Sequence, residues 1–136
     1  MNLKNKYIYK VLLIEDDYEE AFLIEDILDI PDYKFHITHL TRLDKAIEVL
    51  RLETFDIVLL DLNLPGSDGA KSIKKICNVK NTVPIIGLTE MAQNPAAYYV
   101  IDCGVQNFMM KGNFTSNKLL ASIKDAISRK QIELES

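Results

Sequence analysis

The sequence predicts an α/β domain: a parallel β-sheet covered by helices on both faces. Two observations carry that prediction. Five short apolar or β-branched runs alternate with segments of helical periodicity along the whole chain. The central run, Ile57 to Leu60, is apolar at every position, as a strand buried on both faces must be, and the turn residues Pro65, Gly66 and Gly69 then forbid its continuation.

The elements follow in order. Val11 to Ile14 is a continuous apolar first strand. Ala21, Ile24 and Leu28, with Leu23 and Ile27 beside them, make the apolar stripe of a first helix, stopped by Pro31. Tyr33 to Leu40 is more polar, as an edge strand is. Leu43, Ala46, Ile47 and Leu50 recur at helical spacing and mark a second helix. After the Ile57–Leu60 strand, Ala70, Ile73 and Ile76 or Cys77 mark a third. Val83 to Leu88, with Pro84 near its start, is a fourth strand. Asn94 to Cys103 is read as a fourth helix, the least periodic, with Gly104 as its C-cap. Asn107 to Met110 is a short fifth strand, and Leu119, Leu120, Ile123, Ala126 and Ile127 give a final amphipathic helix.

At 136 residues, without internal repeat, low-complexity tract or linker, residues 1–136 read as a single domain. The apolar share of 48% and net charge of −4 fit a globular chain that does not itself hold nucleic acid electrostatically. The N-terminus offers no readable secretory signal and no segment reaches membrane-spanning length. Cys77 and Cys103 are far apart and form no CxxC pattern, so they read as reduced thiols, and the expected location is the cytoplasm.

The chemistry lies at the strand ends. Asp61 closes the central strand, where open α/β sheets place their ligand sites, and an acid there calls for a cation, a substrate or a capping role. The first strand also ends in acid, Glu15-Asp16-Asp17. If the two strands are parallel neighbours, Glu15 and Asp16 stand beside Asp61, and three carboxylates in one crevice repel unless a cation neutralises them. Mg²⁺ suits such hard oxygen ligands. The same residues also suit a solvated acidic turn in which Asp17 caps the first helix. Two further ends favour a binding site: the fourth strand closes on Thr89 and the fifth on Lys111-Gly112. A hydroxyl donor and an ammonium converging on a carboxylate–metal cluster form a receptor for a tetrahedral anion.

The set Glu15-Asp16, Asp61 within Asp-Leu-Asn-Leu-Pro-Gly-Ser-Asp-Gly, Thr89 and Lys111 resembles the receiver domain of two-component response regulators, from about Lys10 to Arg129. The resemblance implies a doubly wound, flavodoxin-like sheet of five strands in the order 2-1-3-4-5, flanked by five helices, with the C-terminal tail extending the last one. It implies that Asp61 is the phosphoacceptor, taking a phosphoryl group from a sensor histidine kinase or phosphotransfer protein. Mg²⁺ is the implied cofactor, held by Asp16, Asp61 and the backbone carbonyl of Asn63, with Glu15 acting through a water. Lys111 is implied to pair with Asp61 at rest and with a phosphoryl oxygen afterwards. Thr89 and Phe108 are the implied switch: Thr89 turns toward the phosphate and Phe108 moves into the space it leaves.

Two positions depart from the family pattern. Glu90 stands after Thr89, where a small residue is usual, and its carboxylate bears on the rate and lifetime of phosphorylation. Gly112 replaces the usual proline, so the Lys111–Gly112 bond is expected to be trans. Other features are weaker. His36 and His39, three apart on a strand, point to opposite faces and do not share a metal. Tyr98 and Tyr99 are read as an exposed partner-binding patch. Leu120, Ile127 and Leu134 fall seven apart, hinting at a homodimer through the last helix or at a longer protein.

The leading function is thus a phosphorylatable signalling switch and not a conventional enzyme. Its output runs through a downstream effector or a C-terminal domain missing from this chain. The alternative is a pseudo-receiver, an interaction module with little phosphorylation, favoured only by Glu90. An aspartyl-phosphate hydrolase is expected to carry Asp-x-Asp, and Asn63 stands in its second place. A flavin carrier needs a phosphate loop after the first strand, where Glu15-Asp16-Asp17 would repel the phosphate.

Overall fold

The structure, a computed structural model, describes residues 7–90, 107–112 and 114–136. In chain order these form β1 (Tyr7–Ile14), α1 (Tyr18–Ile27), β2 (Tyr33–Leu40), α2 (Leu43–Leu52), β3 (Ile57–Asp61), α3 (Gly69–Val79), β4 (Ile85–Thr89), β5 (Asn107–Met110) and α4 (Ser116–Glu135). All neighbouring strands pair in parallel, in the order β2-β1-β3-β4-β5. This is the expected doubly wound, flavodoxin-like sheet. The described residues contain four of the five expected helices; the segment 94–103, with Tyr98 and Tyr99, lies outside them.

Period-two alternation along the strands builds two cores. Leu12, Ile14, Val58 and Leu60 face one side and pack with Ala46 and Leu50 of α2 and Ile73 and Ile76 of α3. Val11, Leu13, Ile57 and Leu59 face the other and pack with Ala21 and Ile24 of α1 and Leu119, Ile123 and Ala126 of α4. The apolar run that marked β3 is therefore shared between both layers, and every residue of β3 is buried.

Local chemistry fixes the helix starts. Asp17 accepts from the Glu19 and Glu20 amides, Asp68 from the Ala70 amide and Thr115 from the Lys118 amide, each satisfying a first-turn N–H. β1 runs longer than its apolar core because aromatic pairs extend it: Tyr7 stacks on Tyr33 at 5.0 Å and Tyr9 on Phe35 at 5.5 Å, each pair opposite in register. In β4 the strand starts after Pro84, which has no N–H to donate; its carbonyl still accepts from Val58 N at 2.9 Å.

Three expectations change. Leu23, placed beside the α1 stripe, is 52% exposed, because the stripe buries only Ala21, Ile24 and Leu28. Cys77, expected as a reduced thiol, is disulfide-bonded, with its partner outside the described residues. Sulfur pairing depends on how close the fold brings two side chains, which spacing along the chain does not show. Cysteine usage therefore gives no support to a cytoplasmic location. The third change concerns the partner of Lys111 and belongs to the site. Among the described residues no helix is long and apolar enough to cross a membrane.

Candidate functional site

The register places the acids together. Ile14 of β1 lies opposite Leu60 of β3, so the next residues, Glu15 and Asp61, stand side by side at the carboxyl edge of the sheet. Glu15 is held there by its amide, which donates to the Leu40 carbonyl at 3.0 Å. Carboxylate oxygens of Glu15, Asp16 and Asp61 all fall within 4.8 Å of one another. Glu15 and Asp61 are buried, whereas Asp16 opens to solvent. Asp17, next along, caps α1 through its own carboxylate, so the capping role and the acid cluster coexist on successive residues.

Lys111 follows β5, and its amide donates to the Thr89 carbonyl at 2.7 Å, which ties the ends of β4 and β5 together. Its ammonium reaches back under the cluster: Nζ lies 2.7 Å from Glu15 Oε1, 3.3 Å from Asp61 Oδ1 and 3.9 Å from Glu90 Oε1. The expected resting pair, Lys111 with Asp61, is therefore shared, and Glu15 holds the nearer place. Glu15 is wholly buried, so its charge gains most from the one ammonium that reaches it among the described residues. Apart from this ion pair, Glu15 Oε1 is a buried oxygen without a hydrogen-bond partner among the described residues.

That environment perturbs both groups. Burial pushes the Glu15 carboxyl up to about 7; the Asp61 charge adds to the rise, while Lys111 and the Asp17 amide oppose it. For Lys111, burial alone favours the neutral amine, but Glu15 and Asp61 together outweigh it and raise its pKa, so the ammonium stays charged.

The β3–α3 loop supplies the third wall. Asn63 N–H donates to Asp61 Oδ1 at 2.9 Å, fixing the carboxylate's rotation, and Asn63 Oδ1 accepts from the Glu90 amide at 3.3 Å. Thr89 is buried at the end of β4. Phe108 is half-buried and packs with the core layer that also holds Leu62. It lies opposite Gly87 in register, and a Cβ on Gly87 would come within 3.0 Å of Phe108 Cδ1 and 2.9 Å of Leu62 Cδ1. Glycine is what lets this ring lie across β4. Gly112 takes φ of +90°, a conformation proline cannot adopt, and no peptide bond is cis among the described residues.

One neighbour escaped the sequence reading. His39 Nε2 lies 2.7 Å from the Glu15 carbonyl oxygen, and its ring meets Tyr18 edge-on at 5.5 Å. No motif signals it: the contact follows from the β1–β2 register, in which Leu13 lies opposite His39. His36 is exposed and takes no part.

The geometry offers hard oxygen ligands, a buried oxygen lacking a hydrogen bond, and a fixed ammonium, in the crevice where such sheets bind ligands. A family model described as the response regulator receiver domain matches residues 11–124. The chain belongs to the response regulator receiver domain family. Over 120 residues this receiver is 32% identical to the cell cycle response regulator CtrA of Brucella ovis, covering 88% of this chain and 50% of that protein. The chain thus spans about half the length of the curated relatives it matches. Its fold is similar to a CheY-like receiver domain protein from Methanospirillum hungatei, with a TM-score of 0.77 at 20% identity over 93% of this chain and 98% of that one. It is also similar to the receiver domain of the sensor histidine kinase PA1611 from Pseudomonas aeruginosa, with a TM-score of 0.73 at 24% identity over 88% and 98%. That structure carries a magnesium ion coordinated in its active-site cleft.

Proposed function

We propose that this receiver is a phosphoacceptor switch in a two-component phosphorelay. The observation that carries the reading is Lys111 Nζ lying 3.3 Å from Asp61 Oδ1 within a three-carboxylate cluster at the sheet edge. A sensor histidine kinase or phosphotransfer protein presents a phosphohistidine. An Asp61 oxygen attacks its phosphorus, the P–N bond breaks, and the electron pair leaves on the imidazole nitrogen.

Asp16, Asp61 and the Asn63 carbonyl would hold Mg²⁺, with Glu15 acting through a water. When bound, the ion supplies the positive charge that lets an anionic nucleophile approach an anionic phosphoryl group. Asn63 N–H keeps Asp61 oriented, leaving its other oxygen for the attack. Lys111 stays protonated and is placed to follow the charge from Asp61 to a phosphoryl oxygen. Thr89, at the end of the neighbouring strand, would donate its hydroxyl to the phosphoryl group. Phe108, packed across Gly87, would report that movement to the outer face of β4 and β5.

The partner must approach the mouth where Asp16 is exposed, and α1 begins there with Tyr18, Phe22 and Leu23 at 72%, 69% and 52% exposure. An apolar surface beside the acidic mouth suits a docking protein. Output passes to a downstream effector or a domain beyond this chain. The exposed Ile132 and Leu134 on the extended α4 offer a homodimer contact, and the cytoplasm is the proposed location.

The test is incubation with Mg²⁺ and acetyl phosphate, followed by intact mass. One phosphoryl group added to the wild type and none to Asp61→Asn is the expected result; an unmodified wild type overturns it. A second reading, a pseudo-receiver, draws on one contact: Glu90 Oε1 lies 3.9 Å from the same ammonium that a phosphoryl group needs.

A further inference from the structure

Glu90 brings a fourth carboxylate to this site, and its backbone is anchored there. Its amide is bonded to Asn63 Oδ1, and the Asn63 amide is bonded to Asp61 Oδ1, so one asparagine bridges the backbone of Glu90 to the nucleophile. From that anchor the Glu90 side chain reaches toward the ammonium from the solvent side, Oε1 lying 3.9 Å from Lys111 Nζ. Lys111 thus faces three acids, two buried and one 62% exposed.

We propose that Glu90 is a positioning residue that gates Asp61 by charge: it holds a share of Lys111 and repels the incoming phosphoryl donor, which slows phosphorylation without abolishing it. The inference rests on Asp61 being the phosphoacceptor. Two features of Glu90 set the strength of the gate. Glu90 sits at the mouth, so an anionic donor meets its charge before it meets the buried ammonium. Its exposure also means that water and salt screen it, so the effect is modest and depends on ionic strength. Glu15 and Asp61, being buried, are screened far less. The exposed member of the set is therefore the one whose removal frees Lys111 without leaving a buried charge unpaired.

The experiment follows phosphorylation by acetyl phosphate with Mg²⁺ in wild type, Glu90→Gln and Glu90→Lys, at low and high ionic strength. Glu90→Gln keeps the shape and removes the charge; Glu90→Lys reverses it. At low salt the rate rises in the order wild type, Glu90→Gln, Glu90→Lys, with the first step roughly two- to fivefold, the size of one exposed charge contact. The three rates converge near 0.5 M salt, where the screening length falls to about 4 Å. Beryllofluoride affinity follows the same order, since it needs the same ammonium but no phosphoryl transfer. A purely steric role for Glu90 would leave Glu90→Gln like the wild type at every salt concentration, which overturns the gate. Equal rates in the three proteins, or a slower Glu90→Gln, overturn the gate while leaving Asp61 as the phosphoacceptor. No modification in any of them overturns the phosphoacceptor reading, and the gate with it.

Discussion

Replacing Lys111 with methionine keeps much of the side chain's length and removes its charge from between two buried carboxylates. At the observed separations of 2.7 and 3.3 Å, each attraction is worth about 5 to 6 kcal/mol at an effective dielectric constant near 20. Most of that is offset in the wild type by the cost of taking the ammonium out of water. The net loss expected for breaking such a buried set is therefore about 3 to 5 kcal/mol. The loss must depend on pH, because Glu15 already has a pKa near 7 and loses its main charge partner in the variant. At pH 8.5 the variant must either bury an unpaired carboxylate or protonate it, and either course is unfavourable. At pH 5.5 Glu15 is already protonated, and only the attraction to Asp61 is lost. Urea unfolding in metal-free buffer reads this directly. With a slope of about 2 kcal/mol per molar, the midpoint should fall by about 2 M at pH 8.5 and by roughly half that at pH 5.5. An equal fall at both pH values, or one below about 0.5 M, would refute the shared-ammonium account of the site.

Three more outcomes follow from the same structure. The folded Glu15 carboxyl binds its proton more tightly than an ordinary one, about 7 against 4.5, so metal-free stability should fall as pH rises through that window and level off above it. Mg²⁺ competes with that proton, so its affinity by calorimetry should rise with pH up to about 7, by as much as about tenfold per unit, and flatten beyond; a Glu15→Gln variant should lose the dependence, and a flat wild-type profile would count against Glu15 as a site member. Gly87→Ala should destabilise the fold by about 1 to 3 kcal/mol, because the new methyl meets Leu62 and Phe108 at 2.9 and 3.0 Å. Phe108→Leu in that background should restore part of the loss in a urea melt, and no restoration would mean that the ring does not press on β4 as described.

Much of the architecture was legible because its signals are local. β2 and β5 have the bounds that the sequence suggested; β3 gained only Asp61, since its apolar run bounded by turn residues has few alternatives. The early part of β1 was not legible. Tyr7 to Lys10 lack a continuous apolar pattern, and they join the sheet because Tyr33 and Phe35, some 26 residues away, stack on Tyr7 and Tyr9 in the paired strand. The site shows the same division. Glu15, Asp16, Asp61, Thr89 and Lys111 were all identified as strand-end residues, and the sheet order brings those ends to one edge. His39 was missed as a site neighbour, because its contact is to a backbone carbonyl on another strand, which no motif records.

The sequence by itself determined the parallel α/β layering, the Asp17 cap of the first helix and the identity of the acids, hydroxyl and ammonium at the strand ends. These follow from periodicity, turn chemistry and residue type, all of which act within a few positions. Only the tertiary structure decided how the one ammonium is divided. Lys111 lies nearer Glu15 than Asp61, with Glu90 reaching in from solvent and Asn63 bridging Glu90 to the nucleophile. That division depends on ångström differences in distance and on which carboxylate is buried. Such differences arise only when residues from four separate strand ends are packed into one crevice.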